Sequence, residues 1–492
     1  MTTNTRPQFD RKKEWRVFRS SRLIELTLVL IMVTFCLGED QLRDCLWLIY
    51  GTQGICLINL VFLVKDRWLF LLSPSFLTAT FLSMNSTVGA LAFGADVVYH
   101  DIDYFYYLDW LHLHWTVAFF LLSVVVVVAP FFLVQRSNFP LSFGDAKDRS
   151  VKAVPISEFV LVAAFSALVF LFFSLVDVNA SALGVDGSLG LFPKTLAAIA
   201  LVVALSRTKM KGRFLFYFGI LLLFATFSSS SKRQAIFLAL PILLVECQNW
   251  AQPRIQLKWL ISGVLASAFI SLLIVMMSIY RGYGQYEPES FLDSRHYVVD
   301  YLKSPAAYEY LLNNFEINYT FYHSHQALEY YFDDPDILLY GVTFAKVLFI
   351  PIPRSVLPSK PEGIIHHYTF RHNPAHRERG GSWVSTLLAE FFWNFGYLGF
   401  VALFAFFALV SSLYLKFVRS LRSGLTYKHV FGLFAFQQVM VLIRGSGFDL
   451  FVVQLLLGGF FYFVLFLPVL IFIQSLHKGS SRKAVVKPLQ MV

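Results

Sequence analysis

Long apolar stretches separated by short polar segments dominate this sequence. A helix needs about 20 residues to cross a hydrocarbon layer of roughly 30 Å, and stretches of that length recur along the chain. The pattern predicts an all-α fold, a polytopic transmembrane helical bundle of about 12 spans. The predicted spans are 22–38, 45–64, 68–94, 111–134, 158–176, 189–206, 214–230, 235–247, 259–280, 384–413, 431–443 and 450–473.

Composition and charge add an orientation to this picture. Apolar residues make up 57% of the chain and charged residues only 15%, which favours a membrane protein over a soluble one. Lys and Arg concentrate in the N-terminal arm, in 207–213, in 416–430 and in the C-terminal tail. Because positive residues in short loops stay on the cytoplasmic side, both termini are predicted to be cytoplasmic. The net charge of +10 then faces lipid headgroups, and we expect no nucleic-acid partner.

One segment, 281–383, interrupts the rhythm of spans. It holds seven of the 12 histidines and follows a predicted span that ends outside, so it is predicted to fold as one large periplasmic loop on the membrane surface. Apolar residues recur at helical spacing in 296–331, and Asp333 to Asp336 predict a turn or a helix start. The predicted organisation is 1–280 with about nine spans, 281–383 as the loop, 384–474 with about three spans, and 475–492 as a cytoplasmic tail.

Basic residues in this loop are the strongest candidates for chemistry. Four prolines between Phe349 and Pro361 restrict the backbone around Arg354 and Lys360. Two cations held in this way suit a phosphate group. A dense basic cluster follows, namely His366, His367, Arg371, His372, His376, Arg377 and Arg379. This cluster could equally be a solvated loop that contacts headgroups, and the spacing of His372 and His376 leaves a zinc site open.

Five further charged residues lie near the ends of predicted spans or in a short loop between them. Arg233 and Arg444 lie where the chain turns at the outer surface, so they are candidates for ligand contact, although such residues often extend to headgroups. Glu390 lies in an apolar stretch. Its two candidate roles are a catalytic base and a partner for Arg354 or Arg444. Asp101 and Asp103 have a spacing seen in metal-dependent glycosyltransferases, but we predict no metal site there.

The order of these residues resembles the signature of the Wzy-type O-antigen and enterobacterial common antigen polymerases. The resemblance rests on the proline-rich run with its basic residue and Lys-Pro pair, a later serine and glutamate, and an Asn-Phe-Gly triplet. The matching positions are Phe349 to Pro361, Gly380, Gly381, Ser385, Glu390, Asn394, Phe395, Gly396 and Gly399. Arg233 after a serine-rich turn and Arg444 before Gly445 resemble two further family features. Ala389 replaces the commonest glycine, and the histidines at 366–376 match no common pattern of the family.

This resemblance implies an inverting, metal-independent glycosyltransferase with a GT-C-like helical fold in the bacterial inner membrane. Its substrate would be an undecaprenyl-diphosphate-linked oligosaccharide, and its partners membrane lipids and a polysaccharide chain-length regulator. No cofactor is implied. The diphosphate would be bound by Arg233, Arg354, Lys360, Arg371 and Arg444, since arginine is planar and permanently charged. His372 or Glu390 would take the proton of the acceptor hydroxyl.

Two other functions remain open at this point. A flippase or transporter of the same lipid-linked substrate also needs about twelve helices, although such proteins place charge in a central cavity. A ligase similar to the O-antigen ligases would carry out the same chemistry with a different acceptor.

Overall fold

The computed structural model describes most of the chain, and every regular element in the described residues is a helix. The described residues are 11–64, 66–94, 111–138, 155–176, 189–208, 210, 212–227, 232–248, 257–280, 286–304, 317–350, 352, 356–383 and 385–483. This confirms the predicted all-α class.

Twenty α-helices follow one another along the described chain. They are α1 (Arg11–Cys36), α2 (Glu39–Leu63), α3 (Arg67–Leu71), α4 (Pro74–Gly94), α5 (Leu113–Asn138), α6 (Ile156–Leu175), α7 (Leu191–Arg207), α8 (Arg213–Phe227), α9 (Lys232–Gln248), α10 (Leu257–Tyr280), α11 (Val298–Lys303), α12 (Ile317–Asp333), α13 (Val342–Phe349), α14 (Ile364–His372), α15 (Pro374–Glu378), α16 (Leu387–Phe395), α17 (Gly399–Ser423), α18 (His429–Ile443), α19 (Phe448–Phe461) and α20 (Leu467–Lys483).

Five helical stretches within the described residues are long and apolar enough to cross a membrane. They are Glu39–Leu63, Leu113–Gln135, Ile156–Leu175, Leu387–Ser423 and Phe448–Leu476. Four shorter apolar helices, Arg213–Phe224, Phe237–Cys247, Ser271–Tyr280 and His429–Ile443, coincide with further predicted spans. The remaining three predicted spans fall on α1, α4 and α7. The structure therefore has the helices of a membrane protein, while the predicted number of twelve stays a prediction.

The chain forms two compact units, and each is built from three separate stretches of sequence. Their boundaries do not coincide with those of the segments predicted from the sequence. Unit 1 comprises Met1–Pro140, Glu316–Tyr340 and Phe391–Ser412, and unit 2 comprises Leu141–Phe315, Gly341–Glu390 and Leu413–Val492. Residues of the predicted 281–383 loop therefore belong to both units.

Unit 1 encloses α12, the helix predicted from the apolar spacing in 296–331. Phe321 packs directly on Gly89 of α4, where a Cβ atom would overlap its ring. Tyr50 Oη lies 2.6 Å from His325 Nε2. Glu329 accepts hydrogen bonds from Thr116 Oγ1 at 2.6 Å and from the His112 amide at 2.9 Å. This helix is thus packed among the predicted spans α2, α4 and α5, and each polar group named here is hydrogen-bonded, as buried polar groups must be.

Unit 2 brings together residues from three loops that the charge pattern places on one side of the membrane. Arg207 Nη1 donates to Glu158 Oε1 at 3.0 Å, and the Arg207 guanidinium lies 4.7 Å from the centre of the Tyr427 ring. A second buried carboxylate, Glu246, accepts hydrogen bonds from Arg213 and Tyr217. The grouping of Glu158, Arg207 and Tyr427 agrees with a common side for these loops, and which side is cytoplasmic stays a prediction.

Candidate functional site

Three residues that resemble the polymerase signature, Ser385, Glu390 and Gly445, lie in unit 2 near the place where α13 meets α19 and the residue before α14, whereas the Asn394-Phe395-Gly396 triplet and Gly399 belong to unit 1. Lys346 Nζ of α13 forms an ion pair with Asp449 Oδ2 of α19 at 2.6 Å. Gly363, which precedes α14, lies against this pair, because a Cβ atom there would be 2.8 Å from Asp449 Oδ2 and 3.1 Å from Lys346 Nζ. The ion pair therefore joins two helices, and a side chain at position 363 would push the ends of the Lys346 and Asp449 side chains aside.

Glu390 of α16 belongs to the same junction. Its side chain is buried, accepting hydrogen bonds from Thr343 Oγ1 at 3.0 Å and from the Phe448 amide at 2.8 Å. Phe448 is the first residue of α19, so the carboxylate satisfies a backbone N–H group that has no partner inside that helix. This geometry gives Glu390 a positioning role at the start of α19, while the two roles suggested by the sequence, a base or a partner for an arginine, stay predictions.

A glycine turn connects α18 to α19 beside Ser385. Gly445 has a positive φ of +99°, and a Cβ atom there would overlap the Ser385 carbonyl oxygen. Both conditions require glycine. The Ser385 hydroxyl oxygen is buried with no hydrogen-bond partner among the described residues. The Arg-Gly pair and the serine that carry part of the resemblance are thus in direct backbone contact.

The predicted diphosphate-binding cations differ in where they lie. Lys360 Nζ donates to the carbonyl oxygens of Ile350 and Ile352, both at 3.2 Å. These two hydrogen bonds connect the end of the proline-rich run to its beginning. Arg444 is half-buried at the end of α18. Arg371 is exposed on α14. Arg354 lies outside the described residues, and Arg233 falls in α9 at a position whose side chain is not among those described.

Helix α14 presents two different faces. Ile364 and Tyr368 are fully buried on one face, while His366, His367, Phe370 and Arg371, with Pro374, line a cavity of about 380 Å³. The helix ends because Asn373 precedes a proline and takes an extended conformation, φ −153° and ψ 94°. This cavity was not predicted from the sequence, because the histidine cluster matched no known pattern.

His372 and His376 pack against a tryptophan instead of facing the cavity. The His372 ring centre lies 4.6 Å from the Trp383 ring centre, and the His376 ring stacks on Trp383 at 4.5 Å. Burial lowers the pKa of His372 to about 4, so the ring is neutral at pH 7. Within the described residues no group of three or more His, Cys, Asp and Glu side chains is placed to hold a metal ion. Asp101 and Asp103 lie outside those residues.

The comparisons with known proteins add no relative. Models of protein families, curated proteins and solved structures give no significant match to this chain. The polymerase resemblance therefore depends on the motif residues and on their arrangement.

The hydrogen bonds of Glu390 are expected to contribute to the free energy of unfolding. Glu390→Leu removes the acceptor of the Phe448 amide and of Thr343, and we expect it to lower the free energy of unfolding by about 2–4 kcal/mol. Glu390→Gln keeps the shape and one carbonyl oxygen, so we expect a loss of about 1 kcal/mol or less. Thermal unfolding in detergent measures both. Equal losses in the two variants would contradict this role for the carboxylate.

Proposed function

We propose that this protein polymerises undecaprenyl-diphosphate-linked oligosaccharide repeat units into a surface polysaccharide, at the periplasmic face of the bacterial inner membrane. The observation that supports the proposal most is the assembly of separate motif segments in unit 2. Gly445 lies against the Ser385 backbone, and Glu390 accepts hydrogen bonds from Thr343 and from the Phe448 amide.

The reaction makes a defined demand on that site. An acceptor sugar hydroxyl attacks the anomeric carbon of the donor chain, the bond from that carbon to the lipid diphosphate breaks, and the electron pair leaves with the diphosphate. Arg354, Arg444 and Arg233, with Lys360, would stabilise the charge that develops there. A donor aimed at developing charge is worth about 3–4 kcal/mol of the barrier.

The proton of the acceptor hydroxyl needs a base. We propose His372 for this step on the resemblance, because a neutral imidazole has one nitrogen able to accept a proton, although its pKa of about 4 makes it a weak base unless a bound substrate raises that pKa. Glu390 is assigned to positioning, since both of its oxygens already accept hydrogen bonds. A role in proton transfer therefore predicts that Glu390→Gln retains polymerisation while His372→Ala loses it.

The experiment that tests the function is deletion of the gene in its host, with the surface polysaccharide separated on a gel. We expect the ladder of chain lengths to collapse to a single capped repeat and wild type to restore it. Arg354→Ala should fail to restore it, with a loss of about 100-fold or more in elongation. Arg379→Ala is the matched control, because this exposed arginine is outside the proposed clamp. Immunoblotting of membranes verifies equal insertion.

Other outcomes separate the remaining functions. Loss of every repeat with intermediates left on the lipid carrier would point to ligation or flipping. An unchanged ladder, or full restoration by Arg354→Ala, would refute the polymerase or its clamp, respectively.

A further inference from the structure

The cavity on α14 has the dimensions of a small ligand site. Its volume of about 380 Å³ lies near the lower end of the roughly 300–1,000 Å³ typical of small-molecule pockets. Its four helical lining residues, His366, His367, Phe370 and Arg371, occupy i, i+1, i+4 and i+5 and therefore share one face of the helix. A cavity of this size accommodates one or two sugar rings, and not a folded partner.

The polar groups around the cavity are set up to bind a ligand. His366 Nδ1 accepts a hydrogen bond from Arg377 Nε at 3.0 Å, so the neutral ring carries its proton on Nε2 and can donate from it. His367 Nε2 is buried and has no hydrogen-bond partner among the described side chains and backbone. Such an atom is costly to leave unsatisfied, and because it is not exposed to the cavity, a ligand would bond to it only after the His367 ring rotates. Arg371 adds a permanent positive charge with paired donors.

The charge state of His367 fits the same role. Burial, chiefly, and then the neighbouring His366 lower its pKa, with Lys346 acting in the same direction and Glu362 opposing it. The ring is therefore neutral at pH 7, with one nitrogen that donates and one that accepts. Paired donor and acceptor groups of this kind match the hydroxyls of a sugar.

An aromatic surface lies beside these polar groups. The Phe370 side chain is 51% exposed, and its ring is nearly parallel to that of His366, with an interplanar angle of 9°. A single exposed aromatic side chain is common on protein surfaces, but the Phe370 ring also lines the cavity and can therefore contact a bound sugar. The C–H groups on one face of a pyranose ring pack well against a flat surface of this type.

We propose that this cavity binds a sugar residue that carries a carboxylate, with Arg371 paired to the carboxylate, His366 and His367 bonded to hydroxyls, and Phe370 stacked on the ring. The inference rests on the proposed function, because the acidic sugar would be part of the repeat unit. It gives Arg371 a contact with sugar in place of the diphosphate contact predicted from the sequence. It also gives the histidines at 366 and 367, which match no family pattern, a role in specificity.

The test is binding of three probes to the purified full-length protein in detergent, measured by ligand-observed NMR titration. The probes are methyl glucuronide, the neutral methyl glucoside and inorganic phosphate. We expect the glucuronide to bind at least about tenfold more tightly than the glucoside, as a single charge-assisted hydrogen-bond pair allows. Arg371→Met should remove this preference, while Phe370→Ala should weaken the binding of both sugars and keep their ratio. Arg379→Met, which removes an exposed charge that does not line the cavity, should behave as wild type.

Three outcomes would overturn the proposal. Equal affinity for the two sugars would refute the contact between Arg371 and the sugar carboxylate. Phosphate that displaces the glucuronide at equal concentration, and whose own binding is lost in Arg371→Met, would assign the cavity to the diphosphate. Loss of the glucuronide preference in Arg379→Met would show that the preference comes from general surface charge and not from the cavity.

The outcome is independent of polymerisation, because binding is measured without turnover. A retained glucuronide preference together with an unchanged polysaccharide ladder would refute the polymerase and keep the acidic-sugar site. A collapsed ladder together with equal binding of the glucuronide and the glucoside would support the polymerase and refute the acidic-sugar site.

Discussion

Gly445→Ala is expected to destabilise the protein by about 3–5 kcal/mol, because two costs add. The residue has a φ of +99°, which is unfavourable for any residue with a Cβ atom. The new Cβ atom would also overlap the Ser385 carbonyl oxygen, which is backbone and cannot rotate away. The turn from α18 to α19 must therefore shift. Thermal unfolding in detergent measures the loss of stability.

Gly380→Ala is the matched control for this variant. Gly380 has a similar φ of +82°, and no heavy atom lies within 4 Å of a Cβ built there. We expect a loss of only about 1–2 kcal/mol from the backbone conformation alone. Similar losses in the two variants would show that the contact with Ser385 contributes nothing.

Breaking the ion pair between Glu158 and Arg207 is the second change with a large expected effect. The side chains are only 4% and 8% exposed, so Glu158→Leu leaves a buried guanidinium without its carboxylate. Removing one partner of a buried pair costs about 3–5 kcal/mol. We expect the midpoint of thermal unfolding to fall accordingly, with the Tyr427 ring, 4.7 Å from the guanidinium, offsetting only a small part.

The double variant Glu158→Leu with Arg207→Met separates the charge from the packing. Replacing a buried pair by apolar residues of similar size is often neutral or stabilising, so the double variant should recover most of the stability lost in the single one. A double variant as unstable as Glu158→Leu alone would show that packing, and not the unpaired charge, causes the loss.

Most of the helices could be predicted from the sequence, because long apolar runs bounded by polar residues constrain the backbone locally. Nine of the predicted spans coincide with apolar helices of the structure, five of them long enough to cross a membrane and four shorter. The helix α12 was also predicted from apolar spacing, together with the turn after Asp333, where Asp334 caps the next element through the Asp336 amide. Its burial among α2, α4 and α5 was not predictable, because the loop reads as polar and partners such as Tyr50 are hundreds of residues away.

The candidate site was predictable to a lesser degree. Glu390, Lys360 and the Arg444-Gly445 pair were identified from the motif, but their contacts were not. The contacts of Glu390 with Thr343 and with the Phe448 amide were not predicted, and the suggested pairing of Glu390 with Arg354 or Arg444 stays a prediction. The Lys346 to Asp449 ion pair and the close approach of Gly363 were missed entirely. Charged residues of both signs are common in the segment, and nothing local distinguishes the pair that meets.

The sequence by itself determined that this is a helical membrane protein, where its apolar helices lie, and which residues resemble a polymerase signature. These properties follow from composition and from periodicity within about 20 neighbouring residues. Only the tertiary structure decided that Glu390 caps α19, that α12 is buried, and that one face of α14 lines a cavity. The physical reason is that hydrogen bonds and packing between residues far apart in the chain depend on how helices meet, which local pattern does not encode.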